Sequence, residues 1–273
     1  MRRDAMKRTP VVAGRFYPGS QQQWEAEVRQ YLAASGPADK QPLLSMLPHA
    51  GYMFSGHVAG RTLADVQLAD TVLLLGPNHS GRGEPLAVWS RGSWALPGVE
   101  LPVDQDLAER LLETHSALKS DFAAHDQEHS LEVLLPFLWV KNPGVRIVPI
   151  CVSAMNSEIL IEVGQHLART CAQWSEAVSV IVSSDMSHFI SGQEAKIQDD
   201  KAIQAILNLD PKGLFQTVRK NNISMCGVLP MTLGLALAVE RGASRAELVQ
   251  YANSGDVTGD QQQVVAYAGM RVF

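Results

Sequence analysis

Short, predominantly apolar runs bounded by turn residues constrain this chain more than any other feature. Leu43–Leu47, Thr71–Leu75, Val145–Cys151 and Val178–Ser183 are the strongest of them. Runs of this length, rich in Val, Ile and Leu, read as strands buried on both faces. Helix-like segments fall between and after them. Ser20 is placed to cap a helix over about Gln21–Ala33, and Asp104 one reaching about Glu113. Phe54–Leu68, Ser130–Leu138, Ser157–Ala172, Gln193–Asn208, Pro211–Arg219 and the apolar Gly227–Arg241 complete the set. Repeated strand-then-helix units predict an α/β fold with three α-β-α layers and a largely parallel central sheet. Further strands are expected at Val11–Phe16, Leu248–Ala252 and Val264–Arg271. A hairpin is expected from Leu86–Trp89 and Ser93–Leu96 about Arg91-Gly92. Ser35–Pro42 is the most loop-like stretch, and no polar linker divides the chain, so residues 1–273 read as one domain.

Composition narrows the function. Net charge is -5 and the sequence pI 5.9, which argues against nucleic acid as a partner, because binding it needs a basic face. The one basic cluster, Arg2, Arg3, Lys7 and Arg8, reads as a solvated end. No apolar stretch is long enough for a membrane span, and no apolar segment follows the N-terminal charges as in a signal peptide. Cys151, Cys171 and Cys226 are too few for a disulfide framework, so a reducing, cytoplasmic setting is expected.

Ligands of open α/β sheets bind beyond the carboxyl ends of the strands. Polar chemistry gathers in those places. His49 follows one buried run in Pro48-His49-Ala50-Gly51-Tyr52, and His79 follows another in Gly76-Pro77-Asn78-His79-Ser80. Asp185 and His188, three apart, follow a third, where a carboxylate can orient an imidazole, raise its basicity or complete a metal site. Cys226 stands just before the buried helix, where a thiol is expected to shift toward thiolate. Each has a bland reading: a histidine on a loop carbonyl, an aspartate helix cap, a small buried hydrophobe. Their recurrence at equivalent strand ends is what favours a pocket. His125, Glu128 and His129 also fit the H-x-x-E-H spacing of inverted zinc peptidases, but no downstream third ligand is visible. The alternative is that Glu128-His129 opens a helix, with His129 facing the pocket. His57, His115 and His166 read as surface or groove residues, Cys151 and Cys171 as core. Dinucleotide, Walker and G-x-S-x-G patterns are absent.

Taken together, Leu47-Pro48-His49-Ala50-Gly51-Tyr52, Leu75-Gly76-Pro77-Asn78-His79, Glu128-His129-Ser130-Leu131-Glu132, Ser183-Ser184-Asp185-Met186-Ser187-His188 and Cys226-Gly227 resemble the Memo family, whose prokaryotic members are known as AmmeMemoRadiSam system protein B. The opening Thr9–Pro18 is similar as well, so the resemblance runs nearly end to end. It implies a fold like the catalytic subunit of LigB-type class III extradiol dioxygenases, which hold non-haem iron on two histidines and a carboxylate. It maps the metal-binding residues onto His49, His79 and Cys226, and pocket or acid–base roles onto His188, Asp185 and His129. A thiolate in place of the carboxylate softens the site, so iron or copper is implied, with zinc as a further candidate. Two functions follow from the resemblance. One is a metal-dependent redox enzyme or oxygenase acting on a small molecule. The other is a non-catalytic module binding a phosphopeptide or another anion in the same pocket. The resemblance also implies a functional link to a radical-SAM protein and an AMMECR-type protein, and a homodimer.

Overall fold

The computed structural model describes residues 6–33 and 39–273; Arg2, Arg3 and the first half of the Ser35–Pro42 stretch lie outside them. In chain order the elements are β1 (Lys7–Arg8), α1 (Gln21–Leu32), β2 (Leu44–Leu47), α2 (Tyr52–Leu63), β3 (Thr71–Pro77), β4 (Leu86–Val88), β5 (Ser93–Leu96), β6 (Val99–Pro102), α3 (Gln105–Leu112) and β7 (Lys119–Ser120). A 3₁₀ turn (Glu132–Leu134) leads into α4 (Leu135–Lys141). Then come β8 (Arg146–Val152), α5 (Ser157–Gln173), β9 (Val178–Ser183), β10 (His188–Ile190), α6 (Gly192–Leu207), α7 (Pro211–Lys220), α8 (Val228–Glu240), β11 (Ala246–Asn253), α9 (Gly255–Thr258) and β12 (Val264–Val272).

The middle of the main sheet is β2-β9-β3-β8, four strands in parallel. Antiparallel pairing extends both edges, through β12 beside β2 and β4 beside β8. Period-two alternation sends Leu73, Leu75, Val148, Ile150, Val180 and Val182 to one face, against α5 and α8. Val72, Leu74, Ile147 and Ile181 point to the other, toward the α1, α2 and α4 layer. Two apolar cores on opposite faces give the expected three layers. Asp104 caps α3 by accepting from the Leu107 amide, as the sequence predicts.

Several expectations change. Val11–Phe16 is a series of turns rather than a strand, because the Val11 and Val12 amides are taken by the Glu132 carboxylate instead of a ladder. The expected hairpin does not form. β4 joins the main sheet, whereas β5 leaves it to pair with β1 and β6. Arg8 is not solvated: it is 2% exposed, pairs with buried Glu132 at 2.7 Å, donates to the His125 carbonyl and lies over Trp94. That buried pair pins the first described segment against the Glu128–Glu132 loop, whose other side forms part of the site.

Candidate functional site

His49, His79 and Asp185 are each the second residue past a parallel strand, β2, β3 and β9 respectively. The parallel register therefore brings three polar side chains to one sheet edge. His129 reaches the same place from the loop before the 3₁₀ turn. Ligating atoms of His49, His79 and His129 lie within 4.8 Å of one another, and this is the one such cluster among the described residues. Ring centroids are 5.3 Å apart for His49 and His79, 5.6 Å for His49 and His129, and 4.8 Å for the stacked His79 and His129.

Hydrogen bonds behind the rings fix which nitrogen faces forward. The Ser183 hydroxyl donates its only proton to the Ser130 carbonyl at 2.7 Å. Its oxygen must therefore accept from His49 Nδ1, also at 2.7 Å, which leaves the His49 Nε2 lone pair free. Glu128 does the same for His79: its Oε1 accepts from Nδ1 at 2.9 Å and its other oxygen from the His79 amide. The Ser130 amide also donates to Glu128 at 2.9 Å. Burial works against the Glu128 charge, but the His79 ring and these amides win and hold the carboxyl at about 2. Burial likewise opposes charge on His79, yet the Glu128 hydrogen bond and charge raise its pKa. At His49, burial and then the neighbouring His79 and His129 push the pKa well below the ordinary imidazole value, so the ring is neutral. Burial also lowers His129.

Asp185 and Cys226 flank His49. Asp185 Oδ1 accepts from the His49 amide at 2.8 Å, and burial raises its carboxyl above the usual range. Cys226 Sγ accepts from the Asp185 amide at 3.2 Å and lies 3.5 Å from His49 Nε2. Gly227 permits this approach: a Cβ there would sit 2.3 Å from Ser184 Cβ. The thiol is not shifted toward thiolate as expected. Gly227, not Cys226, is the cap of α8, and burial followed by the Asp185 charge pushes the thiol pKa up. His188 donates through Nδ1 to the Ser224 carbonyl at 3.0 Å, which leaves its Nε2 free.

His49, His129, Asp185 and His188 form the polar end of a cleft of about 540 Å³. Phe16, Phe54, Phe189, Val265 and Tyr267 line its apolar walls. His125 takes no part. Its ring is fully buried, with Nε2 donating to the Ala87 carbonyl and Nδ1 paired with the Cys151 thiol at 3.3 Å. Residues 125–127 form a turn and 128–129 are irregular, not helical, so the peptidase spacing has no helical face on which to act and Glu128-His129 does not open a helix. Glu128 and Ser183, which orient two of the three rings, carry no signal of that role in the sequence beyond their nearness to His129 and Asp185.

Fold and site together define an α/β protein with a histidine-lined cleft at the carboxyl edge of its parallel strands. The chain belongs to the family of Memo-like proteins, whose family model matches residues 8–271. It is 40% identical to a MEMO1 family protein of Methanosarcina barkeri over 97% of this chain and 99% of that one. A MEMO1 family protein of Aquifex aeolicus is 37% identical, over 96% and 98% of the two chains. In fold the chain is similar to the crystal structure of an uncharacterized Escherichia coli K12 protein, JW3007, with a TM-score of 0.54 and 12% identity over 82% of this chain and 98% of that one. Among the described residues, no helix is long and apolar enough to cross a membrane.

Proposed function

We propose that the cleft is a transition-metal site that serves a redox reaction on a small molecule. The observation that carries this reading is the pair of back-side hydrogen bonds that turn the Nε2 atoms of His49 and His79 toward a common point. Ligating histidines are oriented in this way by a carboxylate, hydroxyl or carbonyl on the other nitrogen. His49 and His79 are the first two donors, and Cys226 and His129 the candidates for the remaining ones. Sγ lies 3.5 Å from His49 Nε2, and the three imidazole ligating atoms span at most 4.8 Å. Two opposed metal–nitrogen bonds of about 2.1 Å span about 4.2 Å, so small ring rotations suffice. Imidazole and thiol donors suit iron or copper, with zinc a further fit. When bound, iron or copper supplies Lewis acidity and an accessible redox couple. The remaining steps belong to the chain. His188 Nε2 accepts a proton from a hydroxyl held in the cleft, and Asp185, whose carboxyl burial favours in the protonated form, passes protons beside His49. His129 belongs both to the cluster and to the lining of the cleft. Binding a metal on Cys226 requires loss of the thiol proton.

The anion-binding reading is the weaker one. An acidic or phosphorylated peptide would bring negative charge beside Asp185 while His49 stays neutral. Metal analysis of protein purified without chelators, with calorimetric titration of iron, copper and zinc, separates the two. The expected result is one ion per chain, bound with proton release and lost in His49→Ala and His79→Ala. Metal at trace level together with undiminished phosphopeptide binding in Cys226→Ser would overturn it.

A further inference from the structure

The cleft holds more apolar surface than a polar reaction centre alone requires, in Phe16, Phe54, Phe189, Val265 and Tyr267. Phe189 is the clearest sign. It directly follows His188, its ring lies 5.8 Å from the imidazole, and it is 73% exposed at the mouth of the cleft. Its backbone has φ +59°, a left-handed conformation that a bulky residue seldom adopts, within the irregular β10–β12 pairing. A phenylalanine kept in this conformation, with its ring in water, is an outlier that fold stability does not account for. It is not isolated. Phe54 lines the cleft from α2, and the adjacent Met53 is 63% exposed. Thr258 lines it from α9, and the adjacent Val257 is 45% exposed. A hollow of about 250 Å³ beside Met53 adjoins the cleft and shares Phe16, Gly51 and Phe54 with it. Apolar surface therefore extends from His49 and His129 along Phe16 and Phe54.

Charge limits what fits the polar end. Asp185 and Asp260 line the cleft, and no lysine or arginine does. In the metal-free protein a carboxylate or phosphate head has no lysine or arginine to meet, whereas a hydroxyl can donate to the free His188 imidazole nitrogen.

We propose that the cleft binds an amphipathic small molecule with an uncharged hydroxyl head at His188 and an apolar tail along Phe54, with Phe189 as the specificity residue that covers the tail. This rests on the reading of the cleft as a small-molecule site, and not on which ion the histidines hold. Burying each methylene gains about a three- to fourfold tighter equilibrium.

The test is binding of 1-butanol, 1-hexanol and 1-octanol to the full chain, followed by NMR shift titration, in metal-free and in metal-loaded protein. Affinity is expected to rise about threefold or more per added methylene, and in metal-free protein octanoate is expected to bind more weakly than 1-octanol. Phe189→Ala should weaken 1-octanol about five- to tenfold and leave 1-butanol unchanged, and Phe189→Leu should restore most of the loss. Thermal melting of both variants identifies a folding defect, in which case the chain-length series on the unmodified protein decides. Affinity independent of chain length, octanoate binding metal-free protein as tightly as 1-octanol, or a folded Phe189→Ala that matches wild type for 1-octanol would each overturn the proposal. If metal fails to bind while the chain-length series holds, only the metal reading falls.

Discussion

Glu128→Gln removes the charge that orients His79 without changing the side chain's size. In the wild type this fully buried carboxylate accepts from the His79 ring, the His79 amide and the Ser130 amide. An amide keeps one acceptor but points two donors into a site that supplies only donors. A carboxyl held at about 2 instead of its ordinary 4.5 contributes about 3 kcal/mol above pH 4.5, and this is lost as pH falls toward 2. The raised pKa of His79 describes the same pair from the other side. That contribution is complete below 6.5 and lost as pH rises through the folded-state value. Counted once, the interaction is strongest between about pH 4.5 and 6.5. Urea unfolding of metal-free protein should therefore show Glu128→Gln about 3 kcal/mol less stable in that window, with the gap narrowing toward pH 2.5 and toward pH 9. Nitrogen-15 NMR should show the His79 proton no longer confined to Nδ1. A gap that is absent, or equally wide at every pH, would refute the reasoning.

Other changes test other parts of the account. Arg8→Met leaves Glu132 buried without its cation and should cost about 3–5 kcal/mol in denaturant unfolding; a loss below about 1 kcal/mol would mean the Val11, Val12 and Tyr17 donors suffice. Burial lowers His125 to about 4, so its neutral form contributes stability that is present above 6.5 and lost as pH falls toward 4. The wild type should accordingly lose about 2 kcal/mol more than His125→Gln between pH 7 and pH 5, and parallel losses would contradict this. Ser183→Ala deprives His49 Nδ1 of its acceptor and the Ser130 carbonyl of its donor, and should weaken metal binding about tenfold by calorimetry and cost about 1–3 kcal/mol of stability. Unchanged affinity would show that Ser183 does not orient the ring.

Much of the fold was legible in the sequence because parallel strands are buried on both faces and carry an unbroken apolar signal. Val178–Ser183 coincides with β9, and Thr71–Leu75 with most of β3. Short edge pairings were not legible. β1, β7 and β10 hold two or three residues each, too few to show a period, and Ser93–Leu96 reads as a strand without naming its partner. The site followed the same division. His49, His79 and Asp185 stand out because each directly follows a strong strand. Glu128 and Ser183 do not, because a residue that orients another is defined by a contact across the fold. Arg8 was misread for the same reason: its partner, Glu132, lies 124 residues along the chain. Cys226 Sγ lies 3.5 Å from His49 Nε2, and its ionisation depends on burial and on Asp185, neither of which a position near a helix start reveals.

The central claim is that His49 and His79 present Nε2 atoms to one ion. Anomalous scattering at the iron, copper and zinc edges, from crystals of protein purified without chelators, tests it most directly. The account predicts a single peak within bonding distance of both Nε2 atoms, completed by Cys226, His129 or both. A peak bound to neither ring, or an empty cluster in crystals soaked with each metal, would contradict it.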